Sequence, residues 1–200
     1  MEEYLKSTFV IDWDAAPVKE KAQSLTKGQK DEIEKAKALF YSVRDQIKYN
    51  AYLPMLPDQF TRENHKASAT LERGEGYCVQ KAVLLTALAR AVDIPARLGF
   101  ADIRNHYLPE EIAKFTKDNV LPYHGYCELY LEGKWIKATP AFDLKTFQEH
   151  QVIPVEFDGR NDAVFHRYNR EGKVHIEYIR DHGYREDLPW DEFSKGFWPG

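Results

Sequence analysis

Residues 74–97 read GEGYCVQKAVLLTALARAVDIPAR. From Val79 to Val92 the side chains are apolar nearly all round, the pattern of a helix buried on most sides. Gly74, Glu75, Gly76 and Tyr77 precede this run and Asp93-Ile94-Pro95 ends it, so Cys78 falls at the helix start. A thiol attacks only as thiolate, and the unpaired N–H groups and dipole of a helix N-terminus favour negative charge. The glycines at 74 and 76 let the backbone approach closely. The N–H of Cys78 is then available to a developing oxyanion. The plainer reading of such a cysteine is a small core residue. Cys127 takes that reading: it sits mid-strand with Leu129 and Leu131 on its face, opposite to His124.

Outward from this stretch, Lys30 to Ile47 reads as an amphipathic helix, with Ile33, Ala36, Leu39, Phe40, Val43 and Ile47 on one face. Leu5 to Trp13 reads as a strand or extended arm. Tyr49 to Ala69 reads as a long ordered loop, a kind of segment that often serves function. Downstream, Ala96 to Ala101 reads as a strand and Asp102 to Asn119 as loop with a short helix near 109–115. Tyr123 to Leu131 and Lys134 to Ala138 form a hairpin around Glu132-Gly133. Val152 to Phe157, Ala163 to Tyr168 and Val174 to Ile179 read as further strands, with a turn at 170–173. Helices followed by an antiparallel sheet make an α+β fold. The expectation is a single domain over 1–200, with its core at about 30–145 and a β-rich extension at about 150–200.

Composition narrows the function. The 28 basic and 32 acidic side chains give a formal charge of −4, too mild to mark a partner. No basic stripe with interleaved aromatics suggests nucleic acid. No run of apolar residues is long enough for a membrane helix, and the acidic Met1-Glu2-Glu3 is unlike a secretory leader. Two cysteines exclude a disulfide scaffold, so reduced thiols in a cytoplasm are expected. No metal or other cofactor is expected, and the oligomeric state is left open.

A cysteine nucleophile needs a base. Of the histidines at 65, 106, 124, 150, 166, 175 and 182, His124 opens the hairpin strand, where a rigid element can hold it. Spacing alone does not single it out. Three blocks taken together do. The 74–97 stretch resembles the glycine-x-cysteine helix and "gIPAR" turn of the transglutaminase-like superfamily. Residues 124–136, HGYCELYLEGKWI, resemble its histidine hairpin, and residues 43–49, VRDQIKY, its helix end. The blocks keep the family's order over about 33–143. The resemblance implies a papain-like fold with a Cys-His-Asp triad, Cys78 being the nucleophile and His124 the base. Family members carry Asp-Pro four residues after the hairpin tryptophan, but here Thr139 precedes Pro140. Asp143 is expected to orient His124 instead, with Thr139 and Asp102 as alternatives. The competing role for Asp143 is a turn or helix cap. Tyr49 and Tyr77 are candidates to line the cleft or donate to an oxyanion.

The expected chemistry is acyl transfer on amide bonds of peptide or protein substrates through a thioester. The resemblance favours peptidase or amidase hydrolysis over cross-linking. The alternative is a non-catalytic binding module that retains the fold. A third possibility is a site closed by the tail, through Phe193, Phe197 and Trp198.

Overall fold

The helix α4 (Cys78–Arg90) is the spine of the molecule; every residue from Val79 to Arg90 is buried. Alanine and leucine supply six of its thirteen residues, both strong helix formers that leave no polar group to satisfy. Its two long cations are buried because each meets orphaned carbonyls. Lys81 Nζ donates to Arg44 O at 3.1 Å and Ile47 O at 2.6 Å, closing the C-terminal end of α2 (Glu32–Gln46). Arg90 donates to Ala96 O, Lys6 O and Glu186 O, tying three distant segments to the end of α4. The description that follows is of a computed structural model and covers residues 1–197.

Alongside α2, helices α1 (Ala16–Leu25) and α3 (Ala67–Arg73) pack against α4. Across it lies a four-stranded antiparallel sheet, in the order β5 (Lys134–Ala138), β4 (Val120–Leu131), β3 (Ala96–Asn105), β6 (Ile176–Arg185). A two-residue parallel pair joins β1 (Lys48–Tyr49) to β2 (Glu75–Gly76), just before the nucleophile position. Three short helices complete the chain: α5 (Glu110–Ala113), α6 (Leu144–Glu149) and α7 (Trp190–Phe197). One cluster of buried apolar side chains runs from Val10 to Phe193. The mixed helix and antiparallel sheet arrangement is the α+β class read from the sequence.

Several expected strands are not strands. Leu5 to Trp13 does not pair with the sheet. A 3-10 turn covers Glu2–Leu5, and the bends beyond it satisfy their own backbone, as in Trp13 N–H to Ile11 O at 2.9 Å. Val10 and Ile11 still plug into the core, and apolar burial alone was the signal read. Val152 to Phe157 buries Val152, Val155 and Phe157, yet side chains of α2 take its backbone groups. Arg44 Nη1 donates to Val155 O at 2.8 Å, and Phe157 N–H donates to the Tyr41 hydroxyl at 3.2 Å. Ala163 to Tyr168 makes only isolated bridges, from Ala163 to Ala138 and from Tyr168 to Val174. The last strand begins later than expected: β6 starts at Ile176 and pairs with β3 from Asn105 back to Leu98. The 49–69 connection is ordered by two 3-10 turns, Leu53–Met55 and Glu63–His65, and ends in α3.

Candidate active site

Cys78 is the first residue of α4, with Tyr77 as its N-cap. The turn into it is local in origin. Gly74 adopts φ +71°, ending α3 in the left-handed conformation that glycine takes without strain. Gln80 then reaches back to the Tyr77 N–H at 3.3 Å and donates to Asn64 O at 2.9 Å. The backbone N–H groups of Gly125, Val79 and Cys78 lie about the sulfur and favour thiolate. Burial outweighs them, and the thiol is pushed up to about 11. The thiolate expected from the helix dipole is therefore not the resting species.

His124 lies on β4, opposite Ala101 of β3, where the pairing slips between Ala101 and Ile103. The preceding Tyr123 has φ +52°, an uncommon conformation for a large side chain. A bulge and a kink at one place re-aim a side chain, and here both fall at His124. Its neighbour Gly125 brings β4 hard against α4: a Cβ there would stand 2.9 Å from Val79 Cα. His124 is 2% exposed, with its ring 5.1 Å from Phe165 and 6.1 Å from Tyr178. Its Nε2 is fully enclosed and has no hydrogen-bond partner among the described residues. With nothing to support its charge, burial drives the imidazole down to about 3. Cys78 and His124 line the same cavity, although no hydrogen bond joins them.

The expected orienter is engaged elsewhere. Asp143 caps α6, with Oδ1 accepting from Thr146 N–H at 2.8 Å and Oδ2 from Tyr49 N–H at 2.7 Å. Those bonds and the charge of Lys81 hold its carboxyl below the usual aspartate range despite burial, which opposes them. The structure does not bring it to the His124 ring. Asp102 is likewise committed: its Oδ1 accepts from His182 Nε2 at 2.7 Å and from Tyr123 N–H at 3.2 Å. Thr139 is left. It follows β5 directly, and Ala138 pairs with Cys127, so Thr139 falls on the alternate face that carries His124. Its Oγ1 is buried and, like His124 Nε2, without a hydrogen-bond partner. It lies close enough to the Tyr178 hydroxyl to favour that group's ionised form, although burial dominates and raises the Tyr178 pKa.

The two tyrosines separate. His65 is fully buried, and its Nδ1–H donates to Thr61 O, so its Nε2 accepts from the Tyr77 hydroxyl. That hydroxyl is spent on structure. Tyr49 lines the cavity, and its hydroxyl is not engaged by any other side chain among the described residues. A charge on Cys78 would act on it directly, since the two already disfavour joint ionisation. Cys127 packs in the core at 0% exposure, receiving Thr86 Oγ1 at 3.2 Å. Phe193 is fully buried, and Phe197 forms part of the cavity wall. Trp198 lies outside the described residues. Sequence reasoning did not find Tyr178 or His65; Asn105, in a segment read as a solvated loop able to contact substrate, lines the cavity. None carries a local motif, and only the fold brings them near Cys78.

No helix among the described residues is long and apolar enough to cross a membrane. No curated protein matches the sequence. Among solved structures, the chain is similar to a candidate cysteine protease from Cytophaga hutchinsonii, with TM-score 0.52 and 17% identity over 91% of this chain and 53% of that one. The chain thus spans about half the length of that structure, and at this identity the likeness concerns the fold. Weaker similarity extends to the periplasmic domain of TgpA from Pseudomonas aeruginosa, with TM-score 0.44 and 18% identity over 67% of this chain and 43% of that one. A family model for the transglutaminase-like superfamily matches residues 19–140, the segment that holds α2, the Cys78 helix and the His124 hairpin. The chain belongs to the transglutaminase-like superfamily.

Proposed function

We propose that the protein is a cysteine-dependent acyl-transfer enzyme acting on amide bonds of peptides or proteins, and that hydrolysis is its main outcome. One observation carries the reading: Cys78 and His124 line one cavity, and neither imidazole nitrogen is engaged by another group among the described residues. His124 Nε2 is enclosed, so Nδ1 is the nitrogen assigned to the sulfur. Because burial keeps both groups neutral, attack is by general base catalysis rather than from a standing ion pair. His124 takes the thiol proton as the Cys78 sulfur bonds to the carbonyl carbon. The N–H of Cys78 and the Tyr49 hydroxyl donate to the oxyanion. The C–N bond then breaks, and the imidazolium proton passes to the departing amine. Water, deprotonated by His124, cleaves the thioester to the acid and restores the thiol.

In this reading Thr139 takes the orienting place beside His124 Nε2, and Asp143 serves the site indirectly by holding the backbone of Tyr49. Both cysteines are free thiols, which supports a reducing compartment such as a cytoplasm.

A binding module that retains the fold is the second reading, favoured by the lack of a Cys78–His124 hydrogen bond and by the burial of both groups. Alkylation of Cys78 by iodoacetamide, followed against pH in wild type and His124→Ala, separates the two. The enzyme reading predicts faster labelling near pH 7 when His124 is present. Identical profiles in both proteins favour the binding module.

A further inference from the structure

Beside Cys78 lies a narrow cavity of about 60 Å³, room for one side chain rather than for a whole ligand. Its far wall is apolar: Met55, Ile103, Leu108, Ile112, Leu121 and Phe165 all contribute. Among the described residues, no Asp, Glu, Lys or Arg lines it. A charged substrate group would be desolvated there with no counter-charge, and a primary amide would find few partners. One side chain is an exception. Asn105 is 7% exposed. Its Oδ1 accepts from Tyr107 N–H at 3.0 Å, while its Nδ2 donates to nothing among the described residues. A lone unpaired amide donor in an apolar wall fixes orientation by finding one acceptor.

We propose, resting on the acyl-transfer reading above, that the site selects acyl donors with a bulky, uncharged apolar group next to the reacting carbonyl, and that the Asn105 amide N–H donates to an acceptor oxygen on that acyl unit. An N-acylated leucine or phenylalanine has this chemistry: a branched or aromatic side chain for the wall, and an amide carbonyl one residue back for Asn105. Glutamine, the uncharged polar isostere of a charged side chain, does not.

The test uses N-acetyl aminoacyl chloromethyl ketones carrying Leu, Phe, Gln, Glu or Lys side chains, with iodoacetamide as a side-chain-free control. Labelling of Cys78 is read by intact mass on the full chain, so it needs no turnover. Leu and Phe are expected to label faster than Gln, Glu and Lys by about 10- to 100-fold, the range given by burying one large apolar side chain. Met55→Lys, at a half-buried position of the wall, is expected to raise the Glu-to-Leu rate ratio at least 10-fold. Asn105→Leu is expected to slow the N-acetyl Leu reagent about 3- to 10-fold relative to iodoacetamide, since it removes about one hydrogen bond. Equal rates across the five side chains, with iodoacetamide still labelling Cys78, overturn the proposal and leave the acyl-transfer reading standing. Labelling by iodoacetamide that does not depend on His124 removes both.

Discussion

Replacing Thr139 by valine removes a hydroxyl whose oxygen is fully enclosed and completes no hydrogen bond. A buried polar group left unpaired costs about 1–3 kcal/mol. If Thr139 were only part of the wall, exchanging the hydroxyl for a methyl group would leave the fold as stable or more so, by about 1 kcal/mol or about 2–4 °C in Tm. The positioning role adds a second effect of opposite sign. A neutral hydrogen bond contributes about 0.5–1.5 kcal/mol net, so acylation of Cys78 should slow by about 2- to 12-fold. Thr139→Asp acts the other way. Burial alone takes His124 to about 3, and an opposite charge within about 4–6 Å restores about 1–3 pKa units, each about 1.4 kcal/mol in favour of imidazolium. The alkylation profile of Cys78 should then move to lower pH by about one unit or more. The assay is iodoacetamide labelling from acid to alkaline pH, read by intact mass, beside thermal unfolding of each variant. A valine variant that unfolds no earlier and labels normally would assign Thr139 to the fold alone. A folded aspartate variant with an unmoved profile would refute its place beside His124.

Asp143→Asn should cost about 0.5–2 kcal/mol through the weakened cap of α6, measured by urea unfolding, while leaving the pH midpoint of Cys78 alkylation unchanged. A shifted midpoint would return Asp143 to the imidazole. Gly125→Ala places a methyl group against the Val79 backbone; overpacking of about 1–3 kcal/mol is expected, with Cys78 labelling falling further than stability alone explains. His65, His124 and His175 are held neutral, at about 4, about 3 and about 4. Their folded values lie below the unfolded one, so the stability they contribute is complete above about pH 6.5 and is lost as the pH falls toward the folded values. Chemical unfolding at stepped pH should show this acid slope, and His65→Gln should reduce it by about 1.4 kcal/mol per pH unit. Phe197→Ala opens the cavity wall and should speed labelling of Cys78 by a bulky maleimide more than by iodoacetamide; equal effects on both reagents would count against a gating role for α7.

The nucleophile helix was legible in the sequence because its apolar run has no other use and its glycines and proline mark both ends. The His124 hairpin was legible from strand residues around Glu132-Gly133, and Glu132 and Gly133 do turn with positive φ. Apolar alternation misled where backbone partners came from side chains. Val152 to Phe157 has a strand's pattern, yet Arg44 and Tyr41 supply its hydrogen bonds, and no local signal in 152–157 encodes that. The same limit applies at the site. With Thr139 in the family's aspartate slot, Asp143 four residues on was the nearest carboxylate to replace it, but two backbone N–H groups claim it first. The charge state of Cys78 was also misjudged from the helix start alone, because desolvation depends on packing that the local sequence does not contain.

The central claim is that Cys78 is acylated with His124 as its base. Brief exposure to p-nitrophenyl acetate, with the adduct located by peptide mass spectrometry, tests it directly. The account predicts an acetyl group on Cys78 in the wild type, none at that position in Cys78→Ala, and acylation slowed by about 10²-fold or more in His124→Ala, the usual scale of general base catalysis. An unmodified Cys78 in the folded wild type, or equal acylation rates with and without His124, would contradict it.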